Sequence, residues 1–381
     1  VSRALRIGID TLFEDPLKPS GATGYMKTLL RWLPRVGPRH QYYVFVSRRN
    51  RHLWESNGVL RLVWSGASNE RLPLRILSQQ LLQPWQAVLR RLDVVNAPGN
   101  VGPLLTPAPL VLTIKTLHHY HTPEALGRAR TLYRRWMVGS SAGRARLVIA
   151  NCQATKQEIV DLVRVPAERV RVVYEAVHEN FSPGDAGAAR DAVRRRFALD
   201  QPYLLYVSSL WRYKNPDGMI KAYAALPRET RQSVSLAIVG QDYEGYRAEL
   251  EQLARAQGVA DRVRFLGAIP NLDLPDLYRA AEMLVYPSHR ETFGMPLVEA
   301  MRTGTAIVAS ALPALMEVAG DAATFVPSHD VAGLAAAVAR VLRHPGERES
   351  LRARALARSA VYSGERMAKD TLAVYEEAAA G

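Results

Sequence analysis

The sequence predicts an α/β protein made of two doubly wound domains. Three observations carry that prediction. Short apolar runs of four to six residues alternate with amphipathic stretches from end to end, the pattern of parallel strands flanked by helices. These runs are too many for one compact sheet, and 381 residues suit two domains better than one. The charge also breaks in the middle: residues 1–184 carry 26 Lys and Arg against 12 Asp and Glu, and residues 185–381 carry 24 against 24.

In the first half the strand candidates are Leu5–Asp10, Tyr42–Val46, Leu62–Trp64, Asp93–Val95, Leu110–Ile114, Leu147–Ala150 and Val170–Val173. In the second they are Leu204–Val207, Val234–Val239, Val263–Leu266, Met283–Tyr286, Ala306–Ala309 and Thr324–Val326. Helical patterns lie between them at Gly24–Leu33, Leu72–Leu92, Thr155–Leu162, Pro216–Ala225, Tyr246–Gln257 and Val331–Leu342, with a last helix over Glu365–Ala380. Val177–Gln201, with Pro183, Gly184 and Gly187, reads as the linker. This divides the chain into an N-terminal domain, 1–184, and a C-terminal domain, 185–362, with 363–381 as a separate last helix.

Composition excludes several classes. Hydrophobic residues are 48% and charged residues 23%, which is globular composition. One cysteine, Cys152, rules out an internal disulfide and a multi-cysteine metal site. The longest stretch without Asp, Glu, Lys or Arg, Val94–Ile114, is broken by four prolines, so it makes no membrane-spanning helix. Val1–Arg6 has no apolar core of a signal peptide, and a cytoplasmic location is expected. A basic half suits polyanions: nucleic acid, anionic lipid or phosphorylated substrates. No nucleic-acid motif accompanies the charge, so no nucleic-acid partner is expected.

Ligands of doubly wound sheets bind at strand carboxyl ends beside helix N-termini, so the strand-to-helix turns are where chemistry is sought. In the first such turn, Pro19–Tyr25, Gly21 and Gly24 would let backbone approach an anion at the start of a helix. The most informative stretch is Tyr286–Met301. Gly294 admits close approach, Pro296 suits a first helical turn, and the N–H groups of Gly294, Met295 and Leu297 could face a diphosphate. Glu299 can accept from two hydroxyls at once, as a ribose diol requires. Glu291, eight residues earlier, is placed to accept from sugar hydroxyls. After Leu204–Val207, Arg212 and Lys214 are two cations able to neutralise a leaving diphosphate. After Val234–Val239, Gly240 is positioned to contact a base or phosphate. Leu72–Leu92 carries apolar residues between arginines, and reads either as an interfacial helix or as a kinked helix packed on the core. No carboxylate triplet or His/Cys spacing suggests a metal site.

With these residues on the page, the chain resembles a retaining glycosyltransferase of family 4, with the GT-B fold and its Glu-x7-Glu motif. The resemblance rests on Gly21-Ala-Thr-Gly24, LLYVSSLWRYKN at 204–215, RFLGAIP at 264–270, the block YPSHRETFGMPLVEAM and the stretch from Arg302 to Ala323. It implies a cleft between the domains, a nucleotide-sugar donor (GDP- or UDP-linked, of mannose or a related hexose) on the C-terminal domain, and a glycan or lipid-linked acceptor on the N-terminal one. It implies that the last helix crosses back to the first domain. Glu291 then matches the glutamate meeting the donor sugar, Glu299 the ribose ligand, Phe293 to Leu297 the diphosphate loop, and Lys214 the phosphate-binding lysine. Ser208 stands where the family often has glycine, and Arg212 substitutes for the companion arginine. The family usually has His-Asp after the strand Leu110–Ile114, but this chain has Lys115-Thr116, followed by His118. Either Lys115 contacts sugar or phosphate, or a histidine such as His118 fills the place, or catalysis is altered. The resemblance therefore leaves two further readings: an epimerase of nucleotide sugars, and a binding protein without transfer. No cofactor or metal is expected, and relatives working on lipid-linked glycans suggest a peripheral place on the inner face of the plasma membrane.

Overall fold

A computed structural model of the protein describes residues 3–15, 21–68, 71–121 and 128–381. The chain divides into two compact units, one made of Val1–Val177 with Tyr362–Gly381, the other of His178–Val361.

The first unit is built on seven parallel strands: β1 Arg6–Asp10, β2 Gln41–Val46, β3 Leu60–Trp64, β4 Val94–Ala97, β5 Leu110–Ile114, β6 Leu147–Ala150 and β7 Val170–Val172. Their order is β3-β2-β1-β4-β5-β6-β7. β4, β5 and β6 are buried along their whole length, as strands covered by helices on both faces must be. One face packs on helix Gly21–Val36 and helix Gly364–Ala380, through Met26, Leu29, Leu33, Met367, Leu372 and Tyr375. The other packs on helices Gln83–Leu89 and Arg128–Arg144, through Ala87, Val138 and Ala142.

The second unit carries β8 Tyr203–Val207, β9 Ser235–Val239, β10 Val263–Gly267, β11 Met283–Tyr286, β12 Ile307–Ser310 and β13 Thr324–Val326, in the order β10-β9-β8-β11-β12-β13. In each unit the chain winds outward on one side and then returns to the other side of its first strand. This puts topological switch points at β1/β4 and at β8/β11, where sheets of this type hold ligands.

The expected linker is corrected. Residues 186–197 form a helix, with Asp185 as its cap accepting from Ala188 N at 2.7 Å. The boundary falls at Val177/His178 because the next residues belong to the second unit. Phe181 is buried against Tyr278, and Arg279 donates to the carbonyls of Asn180 and Ser182 at 2.9 and 2.8 Å. The helix expected over Leu72–Leu92 runs unbroken from Leu72 to Leu89, with a π turn, Ser78–Leu82, between Leu72–Leu77 and Gln83–Leu89. Helix Arg128–Arg144 is absent from the patterns named above because its apolar residues do not all face one way: Leu132 and Trp136 are exposed, whereas Met137 and Val138 are buried.

Candidate active site

The second unit brings two of the expected residues, Lys214 and Glu291, together at its switch point. β11 ends at Tyr286, and the loop beyond it carries Glu291. β8 leads into a single 3-10 turn, Arg212–Lys214. The Lys214 ammonium and the Tyr286 hydroxyl both donate to Glu291 Oε1, with Ser288 Oγ 3.4 Å from it. The Lys214 and Glu291 side chains are only 13% and 7% exposed, so each charge depends on the other for compensation. Asn215 fixes this geometry. In a left-handed conformation (φ 58°), it caps helix Pro216–Ala224 through Gly218 N at 3.0 Å and donates from Nδ2 to Pro287 O at 3.0 Å. One side chain thus ties the β8 turn to the β11 turn. His289 N, donating to Tyr213 O at 2.9 Å, ties them again.

Gly294 begins helix Met295–Thr303 with φ 90° and no side-chain cap. An added Cβ there would lie 2.4 Å from Leu315 Cδ2, so both backbone and space require glycine. Phe293 and Leu297 are buried beneath the turn, while Met295 and Pro296 are partly exposed. One detail differs from expectation: Leu297 N already donates to Gly294 O at 2.9 Å, so of the three amides named for a diphosphate only those of Gly294 and Met295 stay in consideration. Glu299 accepts from the Tyr278 hydroxyl at 2.6 Å. Desolvation of its carboxyl pushes its pKa up to about 7, against the downward pull of that hydrogen bond.

The structure separates the two expected cations. Arg212 donates to both Glu249 oxygens at 2.8 and 2.9 Å and lies over the Tyr246 ring at 4.1 Å. Gly240 has a packing reason of its own, since a Cβ there would meet the Ser208 carbonyl at 1.8 Å. Ser208 N in turn donates to Val239 O at 3.0 Å, so this pair joins the ends of β8 and β9.

In the first unit, Lys115 follows β5. Its ammonium lies 3.9 Å from Glu175 Oε2 and 4.1 Å from the centre of the Tyr25 ring. Asn151, just after β6, donates to Glu175 Oε1 at 2.9 Å and to Lys115 O at 3.3 Å. Near the start of helix Gly21–Val36, buried Glu14 accepts from Thr23 Oγ1, and burial pushes its carboxyl up. Pro19 and Ser20 lie outside the described residues. Gly24 sits inside the first turn of the helix, with open space where a Cβ would be. His118 opens the short helix His118–His121. Among the described residues, no group of three His, Cys, Asp or Glu could hold a metal ion, and no helix is long and apolar enough to cross a membrane. Glu14, Asn151, Glu175 and Asn215 were not singled out in the sequence. Their signal is positional: Asn151 directly follows β6, Glu175 lies just beyond β7, and Asn215 is wedged between Lys214 and a helix-starting proline.

Two switch points on two parallel sheets, with a Lys–Glu–Tyr cluster at one of them, define a GT-B type glycosyltransferase. Comparison with known proteins agrees. The family described as Glycosyltransferase Family 4 matches residues 19–181, and that described as Glycosyl transferases group 1 matches residues 189–358. O-antigen chain mannosyltransferase B of Escherichia coli is 30% identical over 310 residues, covering 80% of this chain and 81% of that protein. A D-inositol 3-phosphate glycosyltransferase of Actinosynnema mirum is 35% identical over 240 residues, 61% of this chain and 57% of that one. Among solved structures, HepE of Anabaena in complex with UDP and glucose superposes with a TM-score of 0.76 at 21% identity, covering 97% and 98% of the two chains. WaaG, a glycosyltransferase involved in lipopolysaccharide biosynthesis, does so at 0.72 and 19%, covering 96% and 99%. The chain belongs to glycosyltransferase family 4, and it is an enzyme of glycosyl transfer.

Proposed function

We propose that this enzyme moves a hexose, mannose or a close relative, from a GDP- or UDP-sugar to a glycan or lipid-linked acceptor in the synthesis of a cell-surface glycoconjugate, with retention of anomeric configuration and without a divalent ion. The observation that carries the reading is the buried Glu291–Lys214–Tyr286 cluster beside the uncapped helix at Gly294. The similarity to a mannosyltransferase and to a protein solved with UDP-glucose supports the class of donor.

In this reading the Glu299 carboxylate accepts from the ribose diol, and the amides of Gly294 and Met295 face the diphosphate. The Lys214 ammonium has three N–H donors. One is held by Glu291, which leaves others for the phosphate oxygen that gains charge as the glycosidic C–O bond breaks. A fixed cation at the leaving group acts where charge develops, which is where electrostatic stabilisation lowers a barrier. The Glu291 carboxylate accepts from hydroxyls of the donor sugar. The acceptor hydroxyl attacks on the face from which the diphosphate departs, and its proton goes to the leaving phosphate oxygen. In the first unit, Lys115 is the cation placed to contact sugar or phosphate, held beside Glu175.

The test is a thermal-shift screen of GDP- and UDP-sugars, since a bound donor raises stability by mass action. Transfer assays with the stabilising donor follow, with chelator present and the product's anomeric configuration read by NMR. A stabilising donor, transfer in chelator and a retained configuration are expected. Isomerisation of the sugar without acceptor would favour the epimerase, binding without transfer a protein that only holds the nucleotide sugar, and activity restored only by magnesium or manganese would remove the metal-free mechanism.

A further inference from the structure

The segment from Leu72 to Leu89 in the first unit is amphipathic the wrong way round. Its polar side chains point inward. Ser78, Gln79, Gln83 and Gln86 are buried. Gln79 and Gln83 donate to the two oxygens of Asp10 at the end of β1, at 2.7 and 2.8 Å, and Gln86 donates to Trp64 O at 2.7 Å. The π turn adds a residue per turn, which keeps these glutamines on one side despite Pro84. The apolar side chains point outward instead: Leu81, Trp85, Val88 and Leu89 are 57–60% exposed. A helix that docks on its own domain normally buries its apolar stripe, so this one is built to present it.

A second element extends the surface. Helix Arg128–Arg144 covers the same face of the sheet as Gln83–Leu89, and it exposes Leu132 and Trp136 at 66% and 59%. The loop between β4 and β5 is stitched to both. Gln80 donates to Gly102 O at 3.2 Å and accepts from Leu104 N at 2.8 Å, and Ser141 Oγ donates to Gly102 O at 3.2 Å. That loop exposes Leu105. The three stretches are thus held together on one side of the unit, and each exposes large apolar side chains, the kind of exposure that marks an interaction surface when it is clustered. Their charges have one sign. Residues 71–92 contain four arginines, of which Arg75 is buried beside Asp10, and no carboxylate; residues 131–146 contain four more and none. Among the described residues of these stretches there is no carboxylate, so a protein partner would have to supply acidic residues and a second copy has none there to offer.

We propose that this face of the first unit is a monotopic membrane-binding surface that inserts Leu81, Trp85, Leu105 and Trp136 among the acyl chains of an anionic bilayer, with Arg71, Arg90, Arg91 and Arg134 on the headgroups. Apolar insertion and attraction to anionic lipid act together in such surfaces. The proposal stands apart from the transfer reading: its loss leaves transfer to a soluble acceptor untouched, and loss of transfer leaves vesicle binding untouched.

The test uses the full chain with phosphatidylcholine vesicles, with and without one-third phosphatidylglycerol, read by sedimentation and by quenching of tryptophan fluorescence with brominated lipid. Wild type is expected to bind the anionic vesicles in a salt-sensitive way, with Trp85 and Trp136 quenched. Leu81→Ser with Trp85→Ser, and separately Trp136→Ser, should each lower the partition coefficient at least tenfold. Arg90→Gln and Arg91→Gln should lower it about fivefold each. These side chains are exposed or nearly so, and unchanged near-UV circular dichroism, apart from the lost tryptophan signal, checks that the variants are folded. The proposal is overturned if wild type stays in solution with anionic vesicles at low salt. It is equally overturned if the serine variants bind as wild type does, or if the substitutions abolish a self-association while vesicle binding is absent.

Discussion

The two units share a winding pattern but bury their polar residues differently. In the second, the buried polar centre is assembled from two neighbouring turns: Lys214 with Asn215, and Tyr286 to Glu291. In the first, buried polar groups gather in two clusters from several strand ends: Asp10, the last residue of β1, with Gln79 and Gln83 from a helical segment, and Lys115 after β5 with Asn151 after β6 and Glu175 after β7. Their charge differs too. The first unit has 28 basic and 15 acidic residues, the second 22 and 21. A site made by two turns is compact and leaves a contiguous motif. A site made from many strand ends can be altered one residue at a time. The two-turn arrangement ties the second unit's centre to short stretches of sequence, whereas the first unit's polar groups meet only through the order of the sheet.

The largest expected effect breaks the compact centre. Lys214→Met removes the cation from the leaving group and leaves the Glu291 carboxylate with hydroxyl partners only. Loss of a group that stabilises developing charge lowers turnover about 10²–10³-fold. Steady-state kinetics on the purified variant check this, and a drop of less than about fivefold would detach Lys214 from the chemistry.

The dispersed centre should respond through stability. Asp10 is fully buried and accepts from Gln79, Gln83 and Leu12 N. Asp10→Ala orphans those donors, and unsatisfied buried groups cost about 1–3 kcal/mol each, partly offset by removing a carboxyl that burial already disfavours. A net loss of about 2–4 kcal/mol is expected. By hydrogen exchange, the amides of Gln79–Leu89 should lose protection while those of Met295–Thr303 keep theirs. Equal loss in both helices would mean the two units do not respond separately.

The contrast also bears on what the sequence reveals. All thirteen strands stand within a residue or two of the apolar runs that predict them; the nine inner strands must be apolar because they are buried on both faces, while the edge strands β3, β7, β10 and β13 are only partly buried. The Glu291 to Glu299 stretch was legible because its turn needs Gly294 and Pro296 in fixed order. The first unit's site was not, since nothing local links Lys115 to Glu175 or Glu14; only the sheet order brings them together. The inward glutamines were hidden for the opposite reason: a helix with apolar residues on one side reads the same whichever side faces the core.

A smaller effect tests Glu299 by pH. Its carboxyl titrates near 7 in the folded protein and ordinarily at 4.5. The folded state therefore holds a proton that the unfolded state has released between those values, and the stability of the ligand-free protein should fall as pH rises from about 4.5 to 7. Nucleotide binding should run the other way. A ribose diol donates to the ionised form, so affinity should rise with pH, by at most tenfold per unit below 7, and level off above it. Calorimetric titrations at several pH values, repeated on Glu299→Gln, check both signs. A pH-independent affinity in wild type would remove Glu299 from the ribose.

The smallest effect is expected at Arg212, where the two cations of the β8 turn part company. Lys214 is enclosed with Glu291, whereas the Arg212 side chain is 63% exposed and committed to Glu249. A diphosphate would have to draw it away from a bidentate carboxylate and from the Tyr246 ring. Exposed pairs of this kind contribute little, so Arg212→Ala should change turnover and donor affinity by less than about fivefold. Glu249→Gln supplies the contrast, because it weakens the hold on the guanidinium without removing it. If Arg212 never reaches the donor, both variants behave like wild type in transfer assays. If Arg212→Ala costs a hundredfold while Glu249→Gln tightens donor binding, the arginine leaves its partner when the donor arrives, and the β8 turn supplies two cations to the leaving group.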